Sequence, residues 1–414
     1  MSPLSSLGWN SELTTYHSDN TVALQPREAG TPTTLDALSS SILTPFKAHP
    51  LLFNGHLQTA WTVATQTDIP VYYGRKIMKG RDGGSFAVDF VVSPFEGTDY
   101  PAESTEGLPP RTRFLSPEEI AAQETPQEED TKPMIIALHG LSGGSHELYL
   151  RAVLDPLVKQ GWEAAVVNAR GCANSKITTH QLFNARFTDD VREFVVQMRR
   201  WWPKRDLYAI GFSLGANILC NYLGDEGPSC QFKAAVLCSS PWNLEASSLN
   251  LERTFLGKEV YSRVMGSSLK RLFEDHVDVL MNDPLINVEK IRATKYLWEF
   301  DRDLTAKVFG YPTVGAYYRD ASSIDNLVKV AIPTFIVHAE DDPVAPKEAI
   351  PYDEVRANPY AFMAVTSMGG HLSWFEPNGE RWYCRIVTDW LGKMQREVGG
   401  VERREMRWKA GSKL

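Results

Sequence analysis

The sequence predicts an α/β fold: a mostly parallel central sheet with helices on both faces, interrupted by a helical insertion. Three observations carry this prediction. Short apolar runs at 134–138, 163–168, 206–211 and 233–238 alternate with helix-like stretches such as 188–201, the pattern of strand-helix-strand crossovers. One of these runs passes through Gly211-Phe212-Ser213-Leu214-Gly215 into small and aliphatic residues, a sharp strand-to-helix turn that holds a hydroxyl in the open. Between 239 and 330 strand signals vanish and helix follows helix, before strands resume at 331–338 and 361–366.

Taken in order, residues 1–44 are rich in Ser and Thr and read as a polar N-terminal arm. The core begins at 45. Two strands at 71–78 and 85–92 flank Gly80-Arg81-Asp82-Gly83-Gly84 and predict a hairpin. Residues 96–132 turn polar, with Pro109-Pro110 and an acidic run over 118–130, and read as a solvated excursion. The first part of the core spans 45–238, the helical cap 239–330, the second part of the core 331–400 and a tail 401–414. The cap carries Trp242, Leu251, Phe255, Leu256, Tyr261, Leu272, Phe273, Tyr296, Leu297, Trp298 and Phe300, enough apolar surface to roof an acyl tunnel.

Gly140-Leu141-Ser142-Gly143-Gly144 repeats the Gly-x-Ser-x-Gly pattern and also follows an apolar run, so spacing alone does not choose a nucleophile. Chain order does. Folds with a serine at such an elbow place a His-Gly-rich loop after an earlier strand, where its backbone N–H groups stabilise an oxyanion. His139-Gly140-Leu141 suits that role and Ser213 the nucleophile, with the amides of Leu141 and Leu214 as the oxyanion donors. An acid and then a histidine should follow. The strand at 331–338 opens into Glu340-Asp341-Asp342-Pro343, where Asp342, directly before the proline stretch, is the acid and Glu340 and Asp341 compete with it. Met368-Gly369-Gly370-His371 follows the last strand and supplies His371 as general base. Trp374 and Phe375, just beyond it, are expected to touch substrate. Each residue type is required: the imidazole removes the hydroxyl proton, the carboxylate fixes its tautomer, and the amides hold the developing charge.

Pro50-Leu51-Leu52-Phe53-Asn54-Gly55-His56-Leu57-Gln58-Thr59, the His139 loop, Asn168-Ala169-Arg170-Gly171-Cys172, the elbow through Asn217, Phe309-Gly310-Tyr311 and Asp341-Asp342-Pro343 together resemble the YheT-like branch of the α/β-hydrolases. That branch includes fungal medium-chain fatty acid ethyl ester synthase/esterases and animal membrane-bound lipid hydrolases. The likeness runs over about residues 45–395 and implies the α/β-hydrolase fold, the Ser-Asp-His triad and a preference for acyl esters with an aliphatic chain. The animal members carry an N-terminal membrane anchor, and none is expected in this chain, because residues 1–30 are polar and interrupted by charges. Nor does any of its nine histidines begin the His-x-x-x-x-Asp acyltransferase pattern found in some members.

The formal charge of −8 argues against nucleic acid or an anionic membrane surface as a standing partner. Five cysteines without regular spacing suit a reducing compartment, and Cys172 reads as a packed thiol near a strand end. No apolar stretch is long enough to span a bilayer, and residues 1–30 lack the apolar run of a signal peptide. The chain closes on Ser412-Lys413-Leu414, an address read by the peroxisomal import receptor, which places the protein in the peroxisome. These readings call for no metal or cofactor. They predict a serine hydrolase or acyltransferase that takes an acyl group from a medium-chain ester or an acyl-CoA thioester and passes it to water or an alcohol. A biosynthetic acyltransferase or thioesterase of specialised metabolism is the alternative, and a catalytically silent binding protein of the same fold the third.

Overall fold

The computed structural model describes residues 8–64, 68–95 and 107–404. Its centre is a ten-stranded sheet. Six consecutive strands are parallel, in the spatial order Ala361–Thr366, Thr334–Ala339, Phe232–Cys238, Leu207–Phe212, Met134–Leu138 and Glu163–Asn168. Beyond Glu163–Asn168 the antiparallel hairpin of Ser85–Val92 and Tyr72–Lys79 extends the sheet, pairing from Tyr72 with Val92 to Lys79 with Ser85.

Period-two alternation builds both faces of the sheet at once. Ile135, Ala137, Tyr208, Ile210, Val236 and Val337 point to one face, where the helices Leu148–Lys159 and Trp382–Glu397 cover them. Met134, Ile136, Leu138, Leu207, Ala209 and Leu237 point to the other, under Asp189–Trp201 and Leu214–Glu226. Because both faces are covered, these strands are apolar throughout, which is what made them legible as short uninterrupted runs.

Two segments depart from expectation. Leu13–His17, expected within a polar arm, pairs antiparallel with Ala361–Thr366 and forms one edge of the sheet. Each of its residues is only half-buried, so an edge strand can be as polar as Leu-Thr-Thr-Tyr-His and still pair. Ala23–Pro26 likewise pairs with Val398–Val401, fastening the N-terminal region to the end of the core. At the opposite edge, Thr112–Phe114 pairs with Tyr72–Lys79 inside the stretch read as a solvated excursion. The helix Pro117–Glu124 follows, capped by Ser116 and Glu119 in reciprocal hydrogen bonds, with Glu119 also held by Arg113 at 2.6 and 2.7 Å.

Residues 244–327 are helical wherever they are regular. Leu269, Leu272, Phe273, Phe300 and Leu304 pack onto Cys172, Ile177, Leu182 and Phe183 at the carboxyl ends of the strands, so this insertion sits as a roof over the elbow. Two of its turns, Gly257–Ser262 and Asp301–Thr305, are π-helical. Among the described residues no helix is long and apolar enough to cross a membrane.

Candidate active site

Ser213 stands between Leu207–Phe212 and Leu214–Glu226 with φ 52° and ψ −120°, a left-handed backbone that a serine adopts only when its surroundings impose it. Contact distances explain the flanking glycines. A Cβ at Gly211 would lie 2.5 Å from Ala216 Cα, and one at Gly215 would lie 2.3 Å from Leu138 O. The turn is anchored by the Ser213 amide, which donates to Cys238 O at 2.9 Å. Asn217 ties the elbow to the roof, donating to Ala185 O and Ala321 O and accepting from the Ser323 amide.

The three residues expected to act together are brought together. His371 Nε2 lies 2.8 Å from Ser213 Oγ, and His371 Nδ1 lies 2.8 Å from Asp342 Oδ2. Asp342 is fully buried, and its other oxygen accepts from the amides of Val344 and Ala345 at 2.8 and 2.9 Å. Burial pushes this carboxyl up, but the charge and hydrogen bond of His371 outweigh it and hold it below the usual carboxylate range. A carboxylate beside Nδ1 fixes the proton there and leaves Nε2 free to accept the Ser213 proton.

The competing carboxylates have other partners. Glu340 forms an ion pair with Lys347 at 2.8 Å. Asp341 Oδ1 accepts from the Gly370 amide at 2.9 Å, so it shapes the loop that carries His371. Burial, foremost, pushes the Asp341 carboxyl up to about 6. The His371 amide donates to Thr59 Oγ1 at 2.9 Å, and a Cβ at Gly55 would lie 1.9 Å from Asp341 O. Asn54-Gly55-His56-Leu57-Gln58-Thr59 is therefore the bracket of the histidine loop, a role that spacing in the sequence does not disclose.

Leu141 and Leu214 both line the space in front of Ser213, and Leu214 is the first residue of its helix, where amides have no intrahelical acceptor. A Cβ at Gly140 would approach Ser213 Cβ to 3.5 Å, so the His139 loop lies against the elbow. That loop is braced from behind. The Gly140 amide donates to Tyr149 Oη at 2.8 Å, and His139 Nε2 accepts from the Ala169 amide at 3.0 Å while burial lowers its pKa to about 4. Buried Asp89 takes Arg75, Ser145 and Asn168 as donors and joins the same loop to the sheet. Ser142 shares a left-handed φ of 51°, but His371 is engaged with Ser213.

An apolar cavity enclosing about 940 Å³, its open mouth included, runs from Ser213 under the roof. Leu251, Leu297 and Phe300 line it, as expected of the insertion, together with Leu182, Phe183 and Leu304. Trp242 and Phe273 are instead fully buried core, and Phe255 faces solvent. Cys172 is buried among the residues beneath the roof, and burial raises its thiol pKa, so it is a packed thiol.

Trp374 and Phe375, expected to touch substrate, do not line the cavity. Left-handed backbone at Leu372 and Trp374 turns the chain sharply after His371, and the Trp374 indole packs in the core with its N–H on Thr366 Oγ1 at 2.7 Å. A Cβ at Gly369 would meet that indole at 2.3 Å, so the glycine before Gly370 answers to Trp374. Phe375 is held in the core by its amide on Gln58 Oε1 at 2.8 Å. Ser412, Lys413 and Leu414 lie outside the described residues.

Known proteins share this fold. Residues 133–377 match the family model described as the alpha/beta hydrolase fold. The chain is 36% identical over 369 residues to a monoacylglycerol lipase of Saccharomyces cerevisiae, covering 84% of this chain and 80% of the relative. It is 33% identical over 395 residues to that organism's medium-chain fatty acid ethyl ester synthase/esterase 2, covering 85% and 86%. The putative esterase YheT of Escherichia coli is 30% identical over 276 residues, 66% of this chain and 80% of the relative. By its elbow, its sheet and these relatives, the chain belongs to the α/β-hydrolase family, with the YheT-like esterases among its kin.

Proposed function

We propose that this protein is a serine esterase that transfers the acyl group of medium-chain acyl esters through an acyl-enzyme on Ser213. The single observation that carries the proposal is the unbroken relay from Asp342 through His371 to Ser213, opening on an apolar cavity. Ser213 Oγ attacks the ester carbonyl as His371 Nε2 takes its proton, and the Leu141 and Leu214 amides hold the oxyanion. Collapse expels the alcohol, which takes the proton back from His371. Water or a second alcohol then repeats the sequence and releases an acid or a new ester. The names of the yeast relatives, a lipase and an ester synthase/esterase, support an ester as donor and either acceptor.

The test is a panel of acyl esters and acyl-CoA thioesters, each offered water, ethanol and glycerol and read by mass spectrometry. Ester turnover with a preference for medium aliphatic chains is expected, with the product ratio reporting how well the roof excludes water. A folded enzyme that turns over none of these donors contradicts the proposal.

The terminal tripeptide extends the proposal to place. A fluorescent protein fused ahead of residue 1 is expected to collect in peroxisomes, through the import receptor, and to become diffuse when Ser412 to Leu414 are deleted. Peroxisomal acyl-CoA would then be within reach as a donor. A diffuse full-length fusion in cells that import other Ser-Lys-Leu cargo would remove both the location and the acyl-CoA donor from the account.

A further inference from the structure

The wall of the cavity contributed by the roof holds a carboxyl that the triad chemistry does not use. Asp301 reaches the cavity from the π-helical turn Asp301–Thr305, and the residue is 7% exposed. One oxygen accepts from Thr305 Oγ1 at 2.8 Å and the other from Tyr318 Oη at 2.9 Å. Nearby cations do not neutralise it: Lys290, Arg302 and Lys307 all turn to Asp303. Among the described residues Asp301 has no ion pair.

Such a group is expensive. A carboxyl in a largely apolar wall with two neutral donors is worse for folding than a well-packed apolar side chain in its place, so the fold alone gives no reason for it. Two donors also leave lone pairs over, since two carboxyl oxygens can accept about four hydrogen bonds. A second group in the same cavity is likewise unfilled. Ser247, 5% exposed, lines it, and among the described residues its hydroxyl has no hydrogen-bond partner. Acceptor capacity on Asp301 and an idle hydroxyl on Ser247 thus line one cavity, whose walls are largely apolar but also carry His180, Asn184, Ser248 and Tyr317.

We infer that Asp301, Thr305, Tyr318 and Ser247 form a polar subsite that binds a hydroxyl group of the substrate inside the apolar cavity. A hydroxyl both donates and accepts, which matches a carboxyl with spare lone pairs beside neutral O–H groups. An ammonium group fits less well. It has donors only, so it cannot accept from the Ser247 hydroxyl, and the largely apolar walls would strip its hydration. The hydroxyl can belong to the alcohol half of the ester, as in a glyceride, or to the acyl chain. The subsite thus adds a specificity determinant to the proposed ester site, and the inference rests on that cavity being where the ester binds.

Ethers that cannot be hydrolysed separate this inference from catalysis. Octyl propyl ether, 1-O-octylglycerol, 8-hydroxyoctyl propyl ether and 8-aminooctyl propyl ether are competed against a fluorescent alkyl probe on the full-length protein. One hydroxyl ether is expected to bind about tenfold tighter than the plain ether, and which one identifies the half of the substrate that carries the hydroxyl. In Asp301→Leu that preference is expected to disappear. Should this variant not fold, Asp301→Asn, which keeps the volume and one acceptor, is expected to lower the preference about threefold. Equal binding of plain and hydroxyl ethers, tightest binding of the amine, or a preference left undiminished by substitution of Asp301 overturns the subsite while leaving the ester site standing. If no ether enters the cavity, the ester site itself is wrong and the subsite falls with it.

Discussion

Ser213→Ala is expected to lower ester turnover by roughly four orders of magnitude or more, the loss typical when a triad nucleophile is removed. The backbone strain at φ 52° is imposed by the elbow glycines and the anchored amide, and alanine tolerates it as well as serine does. The fold should therefore survive, and the loss should fall on kcat with little change in thermal midpoint. What remains would come from the amides of Leu141 and Leu214 and from binding in the cavity. Ser142→Ala is the control, because Ser142 sits on the neighbouring loop while His371 hydrogen-bonds Ser213. Its rate should stay within a few-fold of wild type by steady-state kinetics. A larger loss from Ser142→Ala than from Ser213→Ala would invert the assignment.

Asp342→Asn carries the second large effect, about 10⁴-fold on kcat. Asparagine can present its amide nitrogen to His371 Nδ1, which would place the ring proton on Nε2, where the base must be free to accept. Asp341→Asn should behave differently, because an asparagine Oδ1 can still accept from the Gly370 amide. A rate within about tenfold of wild type is expected there, as for a residue that positions a loop without touching the reacting atoms. Stability separates the two further. Asp341 has a folded pKa of about 6, above the unfolded value of about 3.9, so the folded state holds its proton more tightly. Stability therefore falls as pH rises between those values, by on the order of 1–3 kcal/mol, and stays lower above them. Asp341→Asn should flatten that slope and unfold later than wild type above about pH 6, whereas Asp342, held low by His371, contributes stability that is lost on acidification. Denaturant titrations from about pH 2 to about pH 8 read both trends.

The parts of the fold that were legible in the sequence are those whose signal is local. Uninterrupted apolar runs such as Met134-Ile135-Ile136-Ala137-Leu138 mark strands covered on both faces, and the hairpin of Tyr72–Lys79 and Ser85–Val92 is announced by its glycines. The meeting of Ser213, Asp342 and His371 was legible because the fold fixes the order of their segments, although the three side chains lie far apart in the chain. Leu13–His17 escaped detection because an edge strand needs no apolar face beyond what half-burial asks of it. Trp374 and Phe375 were misread because proximity to His371 in sequence says nothing about the left-handed turns at Leu372 and Trp374 that carry both rings into the core. Thr59, Tyr149 and Asp301 act through contacts made across the chain. Only the His371 amide donating to the Thr59 hydroxyl, a braced Gly140 or a carboxyl facing a cavity reveals them.

Ser213 is expected to be the group that His371 activates. A fluorophosphonate reacts with a serine whose proton is being withdrawn and leaves a covalent mark that peptide mapping can place. Stoichiometric labelling of Ser213 is expected in the folded full-length protein, abolished by Ser213→Ala and strongly slowed by Asp342→Asn. Labelling of Ser142, or no labelling of folded protein, would contradict it.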